Sequence, residues 1–341
     1  MTKKFEGYAY AGNILRVHLG NGRISVEPTL TYAREWLGGP GIAIRLLYDE
    51  LRPWVTPYDP ANKLILSAGP LIGTTAPGAC KSNMSTLGPV TGGWASSCSD
   101  SYTGGELKCA GHDAIVIEGR AHTPVYLWIR DDRVEIRDAS SLWGKTTWET
   151  LDAIREELGD ASLHALSIGP AGENLVRGAC VIQDRGRAFG RCGIGAVMGS
   201  KNLKTIVVKG TGAVRVADPK RFMEAVVRVR GMFKRSKTLE SMRKYGTLAG
   251  LPRKQETSGF GYKNFQELCL PEAMLQAIDP CKTVEKYEVA RQSYPGCAVG
   301  CSRHLHITEG PYAGLKTESC QMEVLNGMQC KLAVWEPTFM F

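Results

Sequence analysis

Short apolar runs bounded by glycine alternate with amphipathic segments along the first two hundred residues. The runs AIVIEG and TIVVKG, which end at Gly119 and Gly210, are rich in β-branched residues and predict two buried strands. The segments Thr31–Leu51 and Thr147–Leu158 carry helical periodicity and predict two surface helices. Strands and helices therefore mix in this part of the chain.

The pattern changes after the second apolar run. An aspartate followed by proline at Asp218 is a strong helix start, and the next 27 residues, KRFMEAVVRVRGMFKRSKTLESMRKYG, carry helical periodicity. Further helices are predicted over Leu270–Ala277 and Thr283–Arg291. We predict an α+β fold with a domain boundary near residue 211, which separates a β-rich domain (1–210) from the start of an α-helical domain (211–341).

The first domain contains a weak internal repeat. Leu66–Pro70 and Leu166–Pro170 share the pattern L-S-x-G-P, and the triplet G-A-C recurs at Cys80 and Cys180, so both matches lie 100 residues apart. The two predicted strands recur 91 residues apart, in the same order. Three matches in order indicate a duplication. They predict a pseudo-twofold β-rich domain with flanking helices, which would suit a ligand that is itself roughly twofold.

Each repeat also contains a glycine-rich segment, GPVTGGWASSCSDSYTGGE in the first and RAFGRCGIGAVMGSKN in the second. Such segments either form loops whose backbone N–H groups cradle phosphate, or form plain turns between strands. A Rossmann dinucleotide site is disfavoured because GRCGIG follows no clear strand and lacks an acidic residue about 20 positions further on.

Charge and cysteine content narrow the function. The net charge of +8 suggests an anionic partner: nucleic acid, or a phosphate-bearing cofactor, unless the lysines are simply solvated. The chain has no lysine/arginine run of motif length and no RNA-binding aromatic signature, which disfavours nucleic acid. It has no signal-peptide pattern and no window of ~18 apolar residues, so we expect a cytoplasmic protein without a membrane span. Its 11 cysteines are expected to be reduced.

Two cysteines, Cys297 and Cys301, are followed by His304 and His306 in the stretch YPGCAVGCSRHLHI. Cysteine and histidine at short spacing are typical of zinc sites. Two thiolates alone do not complete a four-ligand shell. Taken by themselves, the residues therefore leave a metal site and ordinary buried cysteines as alternatives.

The run GGELKCAGHDAIVIEGRAHTPVYLWIRDDRVEIRDA, followed by GPAGENLVRGACVIQDRGRAFGRCGIGAVMGSKNLKTIVVKG, resembles the tungsten-containing aldehyde:ferredoxin oxidoreductase family. The resemblance extends from about residue 7 to residue 210 and is most specific in GIGAVMGSKNLK. It implies a cofactor in which two molybdopterin-type dithiolenes hold one tungsten (or molybdenum) atom and magnesium bridges their phosphates. A twofold pair of pterins fits the duplication.

The resemblance also implies cofactor contacts. Lys81 and Arg187 match basic contacts to the pterins, and Ala188 matches a backbone carbonyl near the magnesium. Cys98 stands where some members have an asparagine that contributes its carbonyl, so it could serve through its backbone. Lysine and arginine bind phosphate through charge-assisted hydrogen bonds. The alternatives are a solvated Lys81 and an ion pair between Arg187 and Asp184.

The family binds one [4Fe–4S] cluster through C-x2-C-x3-C and a distant fourth cysteine, as four thiolates generally do. Cys297 and Cys301 fit the second and third positions. Tyr294 occupies the first, and tyrosine is a poor ligand for such a soft site. Either Cys281 or another thiol substitutes, or the cluster is damaged or lost. The fourth ligand of the family lies beyond the last residue of this sequence.

Two further residues follow the cysteine pair. In the benzoyl-CoA reductase branch of the family, a cysteine in a place comparable to that of Cys320 coordinates tungsten directly. Glu318 is a candidate proton-transfer group because it stands beside that position, and an exposed turn carboxylate is the alternative.

The family resemblance implies oxidation of an aldehyde to a carboxylic acid, with electrons passing through the cluster to ferredoxin or an iron–sulfur subunit. One alternative is a benzoyl-CoA reductase-like catalytic subunit. Another is an inactive fragment or scaffold, because the sequence stops before the remainder of the family's length. The expected ligands are a small organic substrate and no nucleic acid, and a homodimer is compatible with the sequence.

Overall fold

The computed structural model describes residues 7–259, 261–263, 265–277, 286–311 and 313–319. The chain forms two compact units, Met1–Glu224 and Ala225–Phe341. The first unit ends some residues beyond the boundary predicted near residue 211.

The first unit begins with a six-stranded sheet whose strand order is β2-β1-β6-β3-β4-β5. Its strands are β1 (Asn13–His18), β2 (Arg23–Pro28), β3 (Leu64–Ala68), β4 (Lys81–Leu87), β5 (Trp94–Asp100) and β6 (His112–Glu118). The helices of this half are α1 (Leu30–Trp36), α2 (Pro40–Glu50) and α3 (Thr103–Cys109).

A second six-stranded sheet follows, with the order β11-β10-β9-β12-β7-β8. Its strands are β7 (Val125–Arg130), β8 (Arg133–Asp138), β9 (His164–Ser167), β10 (Val181–Gln183), β11 (Arg187–Phe189) and β12 (Leu203–Lys209). The helices of this half are α4 (Thr147–Leu158), α5 (Pro170–Glu173) and α6 (Ile194–Ser200).

The two sheets have the same topology. When the six strands of the first sheet are matched in chain order to the six strands of the second, strand order and direction agree. In the first sheet β1 pairs in parallel with β6, in the second β7 pairs in parallel with β12, and the remaining ladders are antiparallel. The registers agree as well, because Leu66 lies opposite Ile115 and Leu166 lies opposite Ile206. These pairs keep the offsets of 100 and 91 residues found in the sequence. The predicted duplicated, β-rich domain with flanking helices is confirmed.

Side chains along each strand point alternately to the two faces of the sheet, and this alternation explains how the sheets pack. In β6, Ile115 and Ile117 point into a core shared by both sheets, α3 and α6, whereas Val116 packs under α2 on the opposite face. In the second sheet, Ile206 joins the shared core and Val207 packs under α4. Successive side chains of a strand point to opposite faces, so a continuous apolar run is buried on both. Each such side chain contributes roughly 1.5–3 kcal/mol through burial.

One of the two surface helices predicted in the first domain is broken. Thr147–Leu158 forms α4 as predicted, with a capping box between Thr146 and Glu149. The predicted helix Thr31–Leu51 is two helices, because the chain leaves helical geometry at Leu37, where φ is +58°. The next helix begins at Pro40, since proline cannot continue a helix but starts one well.

The second unit is partly helical, as predicted, and also contains a small sheet. Its helices are α7 (Pro219–Arg235, which spans the division between the units), α8 (Lys237–Tyr245), α9 (Leu251–Glu256) and α10 (Glu272–Ala277). A 3-10 turn, Gly246–Gly250, joins α8 to α9. Three antiparallel strands form the sheet: β13 (Glu288–Gln292), β14 (Ser302–His306) and β15 (Lys316–Ser319).

The predicted helix Thr283–Arg291 is wrong over its last residues. From Glu288 onward the chain is the strand β13, because these residues pair with β14 across the cysteine loop. Pairing with a distant strand overrides local helical propensity. Across the described residues, none of the helices combines the length and apolarity that a membrane crossing requires.

Candidate cofactor site and cysteine loop

The edge strands of the two sheets, β5 and β11, contact each other. They are equivalent strands of the duplication, and a twofold operation exchanges equivalent strands. Strands that are exchanged and also touch must lie beside the axis. The junction of β5 and β11 is therefore the place where the two halves could present like surfaces to one ligand.

Asp100, the last residue of β5, lies within ion-pair distance of one cation from each half at this junction. Lys81 Nζ lies 2.9 Å from its Oδ1, and Arg187 Nε lies 3.6 Å from its Oδ2. The lysine side chain is 61% exposed, whereas those of Asp100 and Arg187 are 13% and 17% exposed. Lys81 comes from the first half of the duplication and Arg187 from the second. Lys81 is thus ordered by an ion pair and still open to solvent.

The ion pair considered for Arg187 in the sequence, with Asp184, is not the one formed. Asp184 instead accepts a hydrogen bond from the backbone N–H of Ala165 at 2.9 Å, and its Oδ2 lies 2.7 Å from His164 Nδ1. The His164 ring stacks on Tyr102 with a centroid separation of 4.0 Å. These contacts fix the turn between β10 and β11, which leads directly into Arg187.

Strand register makes Cys98 and Arg187 equivalent residues. Cys98 lies opposite Asn83 on β4, and Arg187 lies opposite Gln183 on β10. Positions 83 and 183 correspond through the 100-residue offset of the repeat. One half therefore presents a thiol where the other presents a guanidinium, and Ala188 follows Arg187 on the same strand.

Gln183 joins the two halves just beneath this position. Its Oε1 accepts hydrogen bonds from Ser101 Oγ and Thr103 Oγ1, both at 2.8 Å, and the residue is fully buried. Buried hydrogen bonds of this kind hold a polar group in one orientation. The β10–β11 hairpin is thereby tied to the connection between β5 and α3.

Asp100 is absent from the sequence-based site. The sequence could have pointed to Asp100, because Asp100 lies two residues after Cys98 in the same strand, and residues i and i+2 of a strand share a face. The pairing of β5 with β11, which brings Arg187 to it, has no counterpart in the local sequence.

The glycine-rich segments are largely regular structure and not open loops. The first contains β5 and the first residues of α3, and the second contains β11 and α6. A Cβ at Gly193 or Gly199 would lie 2.0 Å from the carbonyl oxygen of Arg177 or Gly172, respectively. At Gly195 the nearest atom, Cys180 O, would be at 2.4 Å. These glycines are required because α6 packs backbone against backbone.

In the second unit, Cys297 and Cys301 lie in the loop between β13 and β14. The Cys297 N–H donates to Tyr294 O at 2.8 Å, and Cys297 Sγ accepts from Gly300 N at 3.3 Å. Hydrogen bonds to sulfur tune thiolate ligands of iron–sulfur clusters. Tyr294, which occupies the first position of the predicted cluster motif, is buried at 6% exposure.

The cysteine loop is held against the end of α8. Arg303, only 2% exposed, donates to Gly300 O and Ser302 O at 3.0 Å and also to Arg243 O. A Cβ at Gly246 would lie 2.6 Å from Cys301 O, so a glycine is needed where α8 ends. The loop is thereby fixed to the helical part of its own unit.

The described residues do not by themselves complete a metal site. Among them, no three His, Cys, Asp or Glu side chains lie together as a possible ligand set. His304 and His306 lie on β14, opposite Glu318 and Lys316 of β15. The backbone of Glu318 is in β15, but its side chain, and all of Cys281 and Cys320, lie outside the described residues. The eight described cysteines form no disulfide.

A duplicated β-rich unit followed by a unit with a cysteine loop corresponds to two known sequence domains. Residues 14–210 match the model for "Aldehyde ferredoxin oxidoreductase, N-terminal domain", and residues 224–340 match that for "Aldehyde ferredoxin oxidoreductase, domains 2 & 3". The chain belongs to the aldehyde ferredoxin oxidoreductase family, as the sequence resemblance predicted.

Individual relatives agree. The chain is 44% identical over 312 residues to the tungsten-containing aldehyde ferredoxin oxidoreductase of Pyrococcus furiosus and equally to that of Thermococcus kodakarensis; each match covers 89% of this chain and 51% of the relative. The solved active-site complex BamBC of benzoyl coenzyme A reductase superposes with a TM-score of 0.81 at 31% identity, over 95% of this chain and 51% of that one. The chain spans about half the length of these relatives.

Proposed function

We propose that this chain is the cofactor-binding part of a tungsten-pterin oxidoreductase that oxidises aldehydes to carboxylic acids. The observation that carries the proposal is the convergence of Lys81 and Arg187, from the two duplicated halves, on Asp100 where β5 meets β11. Two like halves offer two like surfaces, which suits a cofactor with two pterins. The tungsten-containing relatives at 44% identity support the choice of metal.

The charges at the junction fit a phosphate-bearing group. The exposed ammonium of Lys81 and the guanidinium of Arg187 would bind the pterin phosphates through charge-assisted hydrogen bonds. Asp100 holds both cations in place before the phosphates arrive. The backbone carbonyls of Ala188 and Cys98 are the proposed magnesium ligands.

When bound, the tungsten held by two pterin dithiolenes supplies the two-electron chemistry of aldehyde oxidation, in which aldehyde and water give the acid, two protons and two electrons. The protein residues bind and orient that group. Glu318 is the proposed proton acceptor, and a carboxylate is suited to that role. In a benzoyl-CoA reductase-like subunit, Cys320 is the proposed tungsten ligand.

We further propose that Cys297 and Cys301 supply two of the four thiolates of a [4Fe–4S] cluster. The hydrogen bond from Gly300 N to Cys297 Sγ supports this role, because it stabilises negative charge on the sulfur. The proposed electron acceptor is ferredoxin or an iron–sulfur subunit. A reducing, cytoplasmic setting is consistent with eight described cysteines that form no disulfide.

A second candidate function is that of a benzoyl-CoA reductase-like catalytic subunit. The superposition on the benzoyl coenzyme A reductase complex at 31% identity favours it, as does Cys320 if that residue ligates tungsten. A third candidate is an inactive scaffold that binds no cofactor.

Metal analysis combined with two assays tests these candidates on the protein purified without air. We expect tungsten, pterin and reduction of a viologen dye by aldehydes. Activity with benzoyl-CoA and none with aldehydes would reverse the order of the first two candidates. Soluble protein that contains neither tungsten nor pterin, after expression with tungstate, would support the scaffold.

A further inference from the structure

Most of the excess positive charge of the chain is concentrated in one short stretch of the second unit. Residues 225–245, in α7 and α8, contain seven lysines and arginines and one glutamate, a net charge of +6 against +8 for the whole chain. Six of these seven cations are exposed, and the seventh, Arg243, is partly buried. The charge is therefore concentrated in two consecutive helices and is not spread evenly over the protein.

Cations and apolar residues both contribute to the exposed surface of α7. Val226 is buried at 3% exposure, and Phe233 is partly buried on the same side of the helix. Arg230 and Lys234 are four residues apart, so they are neighbours on one outward side. Val227, at 66% exposure, lies one turn before Arg230 on that side. The outward surface thus combines positive charge with exposed apolar area.

This surface borders a cavity that reaches the cysteine loop. The cavity, of about 230 Å³, is lined by Arg230, Phe233, Lys234, Arg243, Gly296, Cys297 and Ala298. Arg243 Nη2 donates to Phe233 O at 2.9 Å, and Arg303 in turn donates to Arg243 O. Arg243 is therefore held between α7 and the cysteine loop. Three cations thus line the cavity beside Cys297.

We propose that this cationic surface is the docking site for an acidic iron–sulfur electron-carrier protein. The proposal rests on the proposed function, in which Cys297 is a cluster ligand and a carrier must approach it. Complementary charge steers such a partner and fixes its orientation. The exposed apolar residues give the contact area that charge alone lacks. Nucleic acid would be drawn by the same charge, but the cavity at Cys297 has no use in that case.

The test measures binding of a purified acidic [4Fe–4S] ferredoxin at several salt concentrations. The variant is Arg230→Gln/Lys234→Gln. Its matched control is Lys220→Gln/Arg221→Gln, which makes the same change in charge at the other end of α7, about 15 Å away along the helix axis. We expect the first variant to weaken binding about 5-fold or more at low salt, with the difference shrinking as salt rises. The control should stay close to the unaltered protein.

Equal weakening in both variants would overturn the proposal, because it would indicate a general charge effect. Tighter binding of a DNA duplex than of ferredoxin, lost in the first variant, would also overturn it and assign the surface to nucleic acid. The assay requires neither tungsten nor aldehyde turnover. Failure of the aldehyde assay would therefore contradict the proposed function. Unchanged ferredoxin binding in the variant would contradict only the docking site proposed here.

Discussion

At the residue scale, single buried side chains hold the duplicated halves together. Lys201 donates from Nζ to the carbonyl oxygens of Asn62, Pro60 and Gly119, at 2.5, 3.2 and 3.2 Å, and is 1% exposed. Burial is the main cause that lowers its pKa, to about 7, and the nearby charge of Lys63 acts in the same direction. A lysine of the second half thus satisfies three carbonyls of the first.

We predict that Lys201→Met lowers the free energy of unfolding by about 1–3 kcal/mol, because buried carbonyls lose their donor. Chemical denaturation followed by circular dichroism measures the change. The control is Lys209→Met, whose lysine makes one exposed bond, to Ser162 Oγ. The two variants should differ clearly. Equal stability of both would contradict the structural role of Lys201.

The same residue predicts a dependence of stability on pH. The pKa of Lys201 is about 7 in the folded protein and 10.5 ordinarily, so between these values the unfolded chain binds more protons. Stability contributed by this group therefore rises with pH across that window. We expect Lys201→Met to lose this rise when denaturation is repeated from pH 7 to pH 10. An identical slope in both proteins would show that Lys201 titrates normally.

At Tyr294 the prediction concerns iron. If Cys297 and Cys301 hold a cluster, the iron nearest Tyr294 lacks its usual thiolate and should be labile, giving a three-iron species on oxidation. Tyr294→Cys should raise the iron content and the resistance to air. Tyr287→Cys, which changes another buried tyrosine of the same unit, serves as the control. If the unaltered protein already holds four irons tightly, and Cys281→Ser leaves them in place, this account of the loop is wrong.

At the element scale, apolar patterning predicted what depends on local sequence. The strands β6 and β12 and the helix α4 were found from periodicity and β-branched content. The sequence pattern did not predict the break between α1 and α2 or the strand that begins at Glu288. The glycine and proline at Gly39 and Pro40 were a local signal for the break. The strand depends on pairing with β14, which lies beyond a loop. The packing of α6 was missed for a similar reason, because the partners of its glycines, Gly172 and Cys180, are distant in sequence.

Glycine substitutions test that packing. Gly199→Ala in α6 would place a Cβ 2.0 Å from Gly172 O, so backbone must shift, and we expect a loss of about 1–3 kcal/mol in unfolding free energy. Gly105→Ala in the equivalent helix α3 meets no atom within 4 Å. It should be neutral or stabilise by up to about 1 kcal/mol, because alanine favours a helix. Thermal unfolding of the two variants measures the contrast, and equal melting temperatures would refute the close approach of α6.

At the scale of the whole molecule, the candidate cofactor site depends on the duplication and not on any one motif. Motif matching to the family supplied Lys81, Cys98, Arg187 and Ala188 as separate contacts. The strand registers show that Cys98 and Arg187 occupy equivalent positions in the two halves. The contact between β5 and β11 shows that Asp100 lies between the two cations. Sequence reasoning reached the duplication and the residue types but not their convergence, because convergence depends on how two sheets meet.

The most direct test of the account is the pterin and tungsten content of the purified protein and of the variant Lys81→Met/Arg187→Met. Both proteins are expressed with tungstate, and circular dichroism verifies that the variant is folded. We predict two pterins for each tungsten in the unaltered protein and a large loss of both in the variant, since its phosphate contacts are gone. Equal pterin and tungsten content in the two proteins would contradict the assignment of the cofactor to the β5–β11 junction.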